Sequence, residues 1–135
     1  MKKIVFMMAA LIGLFVSMTA CANKKGNVKT SRCCKENDDP KVRPAFKKTK
    51  ASLDQYDVIY LGYPNWWNSH PRLINTFVEA YGLKGKTVIP FMTSGGSDIK
   101  NSVKNLRKDY PEVNWQDGKL LNGATQEEVD AWVKK

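Results

Sequence analysis

The sequence predicts a parallel α/β fold in a single domain. From residue 53 onward, short apolar runs rich in β-branched and aromatic residues alternate with stretches whose apolar residues recur at helical spacing. The strand-like runs are apolar throughout, as in strands buried on both faces. Strands that alternate with helices form right-handed crossovers and hence a parallel sheet. The 135 residues are 42% hydrophobic and 26% charged, a balance that argues against a disordered or collagen-like protein. The one long apolar run, at the N-terminus, excludes a polytopic membrane protein.

The N-terminal segment, residues 1–20, is predicted to be a secretory signal peptide. Lys2 and Lys3 precede an apolar run from Ile4 to Val16, which is shorter than the ~20 residues that a membrane-spanning helix needs. The sequence Thr19-Ala20-Cys21 resembles a bacterial lipobox. This resemblance implies cleavage before Cys21 and acylation of that residue. An ordinary signal peptide with a coincidental cysteine and an uncleaved anchor are the alternatives.

Lipidation would make the mature chain an exported protein held at a membrane by several acyl chains. Ala22 and Asn23 do not resemble an inner-membrane retention signal, which favours the periplasmic side of the outer membrane. Loss of the leader leaves about 115 of the 135 residues. It also removes the two positive charges of Lys2 and Lys3, which lowers the formal charge from +9 to +7.

Residues 21–40 are predicted to be a polar tether between the lipid anchor and the domain. Pro40 and Pro44 argue against a regular helix in this part of the chain. The adjacent Cys33 and Cys34 allow only a strained vicinal disulfide. Unpaired or casually oxidised thiols are therefore the simpler interpretation, and a redox role is the alternative.

A basic cluster, Lys47, Lys48 and Lys50, follows the tether. We interpret it as a solvated face, because a nucleic acid is a poor partner for an exported protein. Anionic lipid remains an alternative partner for this cluster. We assign no metal site and no catalytic residue from the sequence.

The domain, residues 41–135, contains the predicted strands and helices. Pro71 and Gly82 bound the first helix, and Thr125-x-x-Glu128 forms a capping box at the start of the last one. The predicted elements, in chain order, are a strand at Val58–Leu61, a helix at Arg72–Tyr81, a strand at Thr87–Met92, a helix at Ile99–Tyr110, strand pieces at Val113–Trp115 and Lys119–Leu121, and a helix from Thr125.

Two loops follow the two strands and are the candidate binding site. Ligands of open α/β sheets bind beyond the carboxyl ends of the strands, so the loops Tyr63–Pro71 and Thr93–Ser97 are expected to meet at one sheet edge. Trp66 and Trp67 in the first loop offer a surface for a flat conjugated ligand. The glycines of the second loop let backbone amides approach a ligand closely. A core cap for the tryptophans and a plain turn for the glycines are the structural alternatives.

His70 is the only histidine of the chain and lies in the first loop. It is a candidate proton donor beside a ligand. A surface histidine without a role is the simpler interpretation.

The motifs Gly62-Tyr63-Pro64-Asn65-Trp66-Trp67 and Thr93-Ser94-Gly95-Gly96-Ser97 resemble two flavin-contacting regions of the flavodoxin family. The similarity extends from about Lys41 to Lys135. It implies a three-layer fold with a parallel sheet of strand order 2-1-3-4-5, and flavin mononucleotide (FMN) as the cofactor for one- or two-electron transfer. Trp66 or Trp67 would stack on the isoalloxazine ring. The implied cofactor-binding residues are Tyr63, Pro64, Asn65, Trp66, Trp67, Asn68, Thr93, Ser94, Gly95 and Gly96.

The chain departs from the family pattern at its N-terminus. The family begins with a strand, a phosphate-binding loop of the type S-x-T-G-N-T and a helix, and nothing between Cys21 and Lys41 supplies this unit. We therefore expect a truncated flavodoxin-like domain, incomplete in its first strand–helix–strand unit, with weakened FMN binding. The strand at Val58–Leu61 is expected to lose its neighbour and to expose an edge through which a homo-oligomer forms.

Three functions agree with these observations. The first is an exported electron-transfer flavoprotein, an oxidoreductase or carrier whose redox partner the sequence does not identify. The second is a non-catalytic remnant that binds a flat ligand or a partner weakly. The third is a flavin-dependent quinone reductase with Tyr63 or His70 near the substrate.

Overall fold

A parallel sheet with helices on both faces makes up the described part of the chain, as the sequence predicts. The computed structural model describes residues 2–8 and 32–134. The elements are β1 (Ile4–Met8), α1 (Arg32–Asp38), β2 (Val58–Pro64), α2 (Arg72–Tyr81), β3 (Thr87–Thr93), α3 (Lys100–Asp109), β4 (Asn114–Trp115), β5 (Lys119–Leu120) and α4 (Gln126–Val133).

The sheet has the order β1-β2-β3-β4, and β5 also pairs with β3. Every pairing is parallel. β4 pairs with Thr87 and Val88, at the start of β3, whereas β5 pairs with Phe91 and Met92, near its end. The two short strands therefore form one interrupted edge, and β2 and β3 are the central strands that carry the candidate site.

The edge of Val58–Leu61, which is expected to be open once the leader is lost, is covered in this structure, because β1 pairs with it along its length, from Ile4 opposite Val58 to Met8 opposite Gly62. The Asp57 amide also donates a hydrogen bond of 2.9 Å to the Lys3 carbonyl. The apolar run that reads as part of a leader also has the alternation of a strand. Its Val5 and Met7 side chains are 8% and 6% exposed, whereas Ile4 and Phe6 are 46% and 50% exposed.

A short helix, α1, lies within the segment that the sequence predicts to be an irregular tether, so this prediction is wrong for residues 32–38. The helix ends before Pro40 and therefore avoids the steric conflict on which the prediction was based. It packs on the domain: the Cys34 thiol is buried, and Arg72 Nη2 donates a hydrogen bond of 3.0 Å to the Asn37 carbonyl. Cys21, the predicted lipidation site, lies outside the described residues.

The three longer helices lie where their apolar spacing predicts them. α2 ends at Gly82, which takes the left-handed backbone with φ 62°. The predicted capping box of α4 is present: the Glu128 amide donates to Thr125 Oγ1 at 3.3 Å, and the Thr125 amide donates to Glu128 Oε2 at 2.9 Å.

β2 continues past its predicted end, through Gly62 to Pro64. A Cβ at Gly62 would lie 2.4 Å from the ring of Phe91 on β3. The missing side chain at Gly62 thus lets β2 and β3 stay paired as far as the carboxyl edge of the sheet, although the sequence predicts that this glycine ends the strand.

The sheet has two differently covered faces. The main core contains Ile59 and Leu61 of β2 together with the buried apolar residues of α2 and α3. On the opposite face, Trp132 of α4 packs edge-on against Tyr60 at 5.2 Å between ring centroids. Within residues 2–8 and 32–134, each helix is too short or too polar to cross a bilayer.

Candidate functional site

The loops after β2 and β3 meet at the carboxyl edge of the sheet. Pro64 and Thr93 are partners in the last step of the β2–β3 register. One residue further, the Asn65 amide donates a hydrogen bond of 2.8 Å to the Thr93 carbonyl. Asn65 Nδ2 donates to Ser94 Oγ at 3.1 Å. The structure therefore brings together the two loops that the sequence selects, and Asn65 links them.

The first loop is a tight turn that presents Trp67. The amides and carbonyls of Trp66 and Ser69 exchange two hydrogen bonds of 2.9 Å each. The two residues between them have positive φ angles, 51° for Trp67 and 61° for Asn68. This is the backbone of a two-residue hairpin turn, a position usually filled by Asn-Gly. Trp67 is 59% exposed, whereas Trp66 is partly buried, so Trp67 is the better stacking candidate.

Helix α3 holds this turn in place. Asn101 Nδ2 donates a hydrogen bond of 2.7 Å to the Asn68 carbonyl. Asn105 Nδ2 donates to Ser69 Oγ at 3.0 Å. The exposed indole is therefore carried on a turn that is anchored by side chains of a neighbouring element.

The second loop is organised around Ser94. Its Oγ accepts hydrogen bonds from the amides of Gly96 at 3.2 Å and Ser97 at 2.9 Å. Asn122 acts as a clamp on its backbone: Asn122 Oδ1 accepts from the Ser94 amide at 2.8 Å, and Asn122 Nδ2 donates to the Ser94 carbonyl. The Ser94 backbone is therefore fully used inside the protein.

Asn122 is a site residue that the sequence analysis missed. It lies in the loop after β5, distant in sequence from Ser94, and no local motif marks it. Asparagine is common in loops, so its presence here does not indicate a site residue. The parallel pairing of β5 with β3 is what brings it to the loop.

A small set of groups is left for a ligand. Within the described residues, the Gly95 amide has no hydrogen-bond partner, whereas the three other amides from Ser94 to Ser97 are all engaged. Asn65 Oδ1 is buried and has no partner. A Cβ added at Gly95 or Gly96 would meet nothing within 4 Å. The loops therefore offer one donor, one acceptor and open space beside bare backbone.

Three buried polar residues lie beneath the loops. The Tyr63 hydroxyl and Ser102 Oγ are 2.9 Å apart, and Ser102 Oγ lies 3.5 Å from His70 Nδ1. Burial lowers the pKa of His70 to about 4, assisted by the nearby Arg72 charge. Burial also raises the pKa of Tyr63 to about 12, against the opposing effect of its hydrogen bond to Ser102. Both groups are therefore neutral near pH 7.

This burial places two predicted site residues below the binding surface. Tyr63 is 4% exposed and His70 is 1% exposed. Tyr63, expected among the cofactor-binding residues, supports the loop from the core side. The interpretation of either residue as a substrate contact in a quinone reductase does not fit their burial. The remaining predicted residues, Pro64 to Asn68 and Thr93 to Gly96, lie in or beside the two loops.

The arrangement fits the ring end of a flavin better than its phosphate end. An exposed indole, a partnerless acceptor and a partnerless amide match a flat ring with a polar edge. The residues after β1, where the family's phosphate loop belongs, are Ala9-Ala10-Leu11-Ile12-Gly13, which have no hydroxyl side chain. The structure describes nothing between residues 9 and 31, so Gly26-Asn27 and Thr30-Ser31, the nearest fragments of a phosphate loop, lie outside the described residues.

Comparisons with known proteins agree with this geometry. A sequence model of a family described as flavodoxin matches residues 17–135. A crystal structure of a protein assigned as a flavoprotein from Bacteroides uniformis is 53% identical, with a TM-score of 0.74, and the match covers 79% of this chain and 69% of that chain. A second such protein, from Bacteroides eggerthii, is 52% identical with a TM-score of 0.73, and covers 78% and 67%.

A flavoprotein from Lactobacillus acidophilus, solved in complex with FMN, is 25% identical with a TM-score of 0.49 and covers 62% of this chain and 54% of that chain. No curated protein matches the chain. The family match spans most of the sequence and includes both loops of the site. The chain therefore belongs to the flavodoxin family.

Proposed function

We propose that this chain binds a flavin by its isoalloxazine ring and takes part in electron transfer. The observation that carries the proposal is the pair of polar groups in the two loops that have no partner within the described residues, Asn65 Oδ1 and the Gly95 amide. A buried acceptor without a partner costs about 1–3 kcal/mol. A ligand that donates to Asn65 and accepts from Gly95 would remove that cost.

Each loop residue has a defined part in this proposal. Trp67 stacks on the flat ring, while Asn65 Oδ1 and the Gly95 amide bond its polar edge. Ser94 and Asn122 hold the glycine loop in shape through the clamp described above. When bound, the flavin supplies one- or two-electron transfer, and the protein positions and desolvates it.

We further propose that FMN is bound mainly through its ring. Hydroxyl groups and a helix N-terminus normally hold such a phosphate, and the residues directly after β1, 9–13, offer no hydroxyl side chain. FMN and riboflavin should therefore bind with similar, modest affinity.

The location proposed for the chain is export and lipid attachment at Cys21, on the periplasmic side of the outer membrane. The supporting features are the basic start, the short apolar run and Thr19-Ala20-Cys21. Cleavage there would also remove β1, because Ile4–Met8 precedes the cut. Residues 4–8 therefore either form β1 or are removed with the leader.

A second candidate function follows from the loss of β1 on cleavage before Cys21. A processed chain would expose the outer edge of β2, to which β1 is bound in the structure. Exposed edges recruit further strands, so the processed chain would assemble with a second copy and act as a weak binding module. A processed chain that stays monomeric at high concentration in sedimentation velocity contradicts this assembly.

Gly95→Ala tests the ring-binding proposal. The added methyl meets no protein atom within 4 Å, and Gly95 has no positive φ, so the free energy of unfolding should change by less than about 1 kcal/mol. Flavin affinity, measured by fluorescence quenching, should fall about tenfold because the methyl occupies the ring's space. Unchanged affinity in a folded variant contradicts the proposed position of the ring.

A further inference from the structure

An open cavity lies beside the flavin-binding surface. It has a volume of about 530 Å³ and lies between the Trp66–Ser69 turn and the start of α3. Asn68 of the turn is the neighbour of Trp67, and Ser97 is the last residue of the glycine loop. A molecule in this cavity would therefore be next to a ring held by those loops. The lining residues are Asn68, Ser97, Asp98, Lys100, Asn101 and Lys104.

The charges of this cavity do not cancel. Asp98 Oδ2 lies 3.4 Å from Lys100 Nζ, and Asp98 Oδ1 accepts the Lys100 amide hydrogen at 2.6 Å. The Asp98 carboxylate is thus already bonded to Lys100. Lys104 has no ion-pair partner among the residues that the structure describes, although two ion pairs are formed elsewhere in them.

The spacing of the lysines adds to this imbalance. Lys100 and Lys104 are four residues apart on α3 and therefore project from one side of the helix. Like charges at this spacing are mildly destabilising in a helix. An anion between the helix and the turn would relieve the repulsion and bond Lys104.

The cavity wall is formed before any ligand arrives. Asn101, which lines the cavity, donates to the Asn68 carbonyl, and Asn105, one turn further along α3, bonds the same turn at Ser69. A site with fixed walls loses less entropy when it binds a ligand than one that must order itself.

We propose that this cavity is a subsite for the anionic group of a small electron-transfer substrate. This inference rests on the proposed function. The flat part of the substrate would lie near Trp67 and the flavin ring, and its carboxylate, sulfonate or phosphate would bond Lys104. The cavity thus selects negatively charged small molecules over neutral ones of the same shape.

NMR titration of the full chain tests the proposal. The oxidised protein is mixed with FMN but no electron donor, so that binding is measured without turnover. The probes are 1,4-naphthoquinone-2-sulfonate and uncharged 1,4-naphthoquinone. The wild type should bind the sulfonate more tightly, and the perturbed amides should include Asn68 and Asn101.

Lys104→Met is the test variant, and Lys108→Met is the matched control. Lys108 is one turn further along α3, is also exposed, and does not line the cavity. Loss of a charge-assisted hydrogen bond should raise the Kd of the sulfonate about tenfold in Lys104→Met. The Kd of the neutral quinone should not change, and Lys108→Met should bind both probes as the wild type does.

Three outcomes would overturn the subsite. One is an unchanged sulfonate Kd in Lys104→Met, and another is equal binding of both probes by the wild type. The third is an equal loss in Lys104→Met and Lys108→Met, which indicates a diffuse basic face suited to an acidic protein. A parallel FMN titration separates the two proposals: sulfonate binding that depends on Lys104 without FMN binding supports the subsite and contradicts the flavin function.

Discussion

Trp67 and Asn68 are non-glycine residues in left-handed backbone, at φ 51° and 61°. A bulky residue in this region is strained by about 1 kcal/mol or more, whereas glycine adopts it freely. Strain of this kind persists where surrounding contacts enforce it, and here Asn101 and Asn105 hold the turn. The cost is understandable if the indole is needed at this place for stacking.

Trp67→Gly should therefore separate stability from binding. We expect the free energy of unfolding to rise by about 0.5–1 kcal/mol in urea denaturation, because the strain is relieved. Flavin affinity should fall about tenfold, since aromatic stacking contributes about 0.5–1.5 kcal/mol beyond the area that it buries.

Asn68→Gly is the control for this prediction. It relieves the same kind of backbone strain but keeps the indole, so stability should rise while flavin affinity stays the same. If both variants lose affinity equally, turn geometry rather than stacking determines binding. If Trp67→Gly binds flavin as the wild type does, Trp67 is not the stacking residue.

His70 makes stability depend on pH. Its pKa falls from 6.5 to about 4 on folding, mainly because it is buried. The folded state therefore favours the neutral ring, and this contribution is present above pH 6.5 and is lost as the pH falls toward 4. A shift of this size corresponds to about 3 kcal/mol.

The measurement is the free energy of unfolding between pH 7 and pH 4 for the wild type and His70→Asn. The wild type should lose about 3 kcal/mol more than the variant over this range. Parallel pH profiles for the two proteins would show that His70 is not the group responsible.

At the scale of the elements, β1 has the greatest consequence. It covers the outer edge of β2, and its register runs from Ile4 opposite Val58 to Met8 opposite Gly62. Its inward residues, Val5 and Met7, belong to the main core. Loss of this strand would expose backbone groups and apolar surface together.

Val5→Ser and Ile4→Ser test whether β1 is part of the sheet. Val5 is buried, so a serine there should lower the free energy of unfolding by about 2 kcal/mol. Ile4 is 46% exposed, so the same change there should cost about 0.5 kcal/mol or less. Equal, small effects would show that the strand does not contribute to stability.

A chain that begins at Cys21 extends the same test. Without β1, the amides from Val58 to Gly62 should exchange hydrogen faster than those of α2, and the protein should be less stable than the full chain by about 3–5 kcal/mol. Unchanged exchange at β2 would show that another segment covers this edge.

Local patterns predicted the elements that have strong local signals. Helices α2, α3 and α4 follow from apolar spacing and from the Thr125–Glu128 capping box, which the structure shows in full. β1 was missed because one apolar run with a basic start suits both a leader and a strand. α1 is not predicted, because Pro40 and Pro44 argue against a helix in this segment, whereas the helix ends before both of them.

The candidate site also combines features that have a local sequence signal with features that have none. The two loops follow from strand ends and motifs, because these are local features. Asn122 and the burial of Tyr63 and His70 depend on contacts between distant parts of the chain. No spacing within the sequence reports such contacts, and only the folded structure shows them.

At the scale of the whole molecule, the described residues contain the ring-binding part of the predicted flavin site. The parallel sheet places the ring-binding loops together at one edge. The residues directly after β1, Ala9-Ala10-Leu11-Ile12-Gly13, have no hydroxyl group with which to hold a phosphate. The family fold is therefore present, while the affinity for its cofactor is expected to come from the ring alone.

The most direct test is titration of the protein with FMN and with riboflavin, followed by flavin fluorescence. Binding of both with Kd values within about threefold of each other is the predicted result, because the phosphate adds little where no hydrogen bond receives it. A preference for FMN of about thirtyfold or more would reveal a working phosphate site. That result, or the absence of binding by either compound to the folded protein, would contradict recognition through the ring.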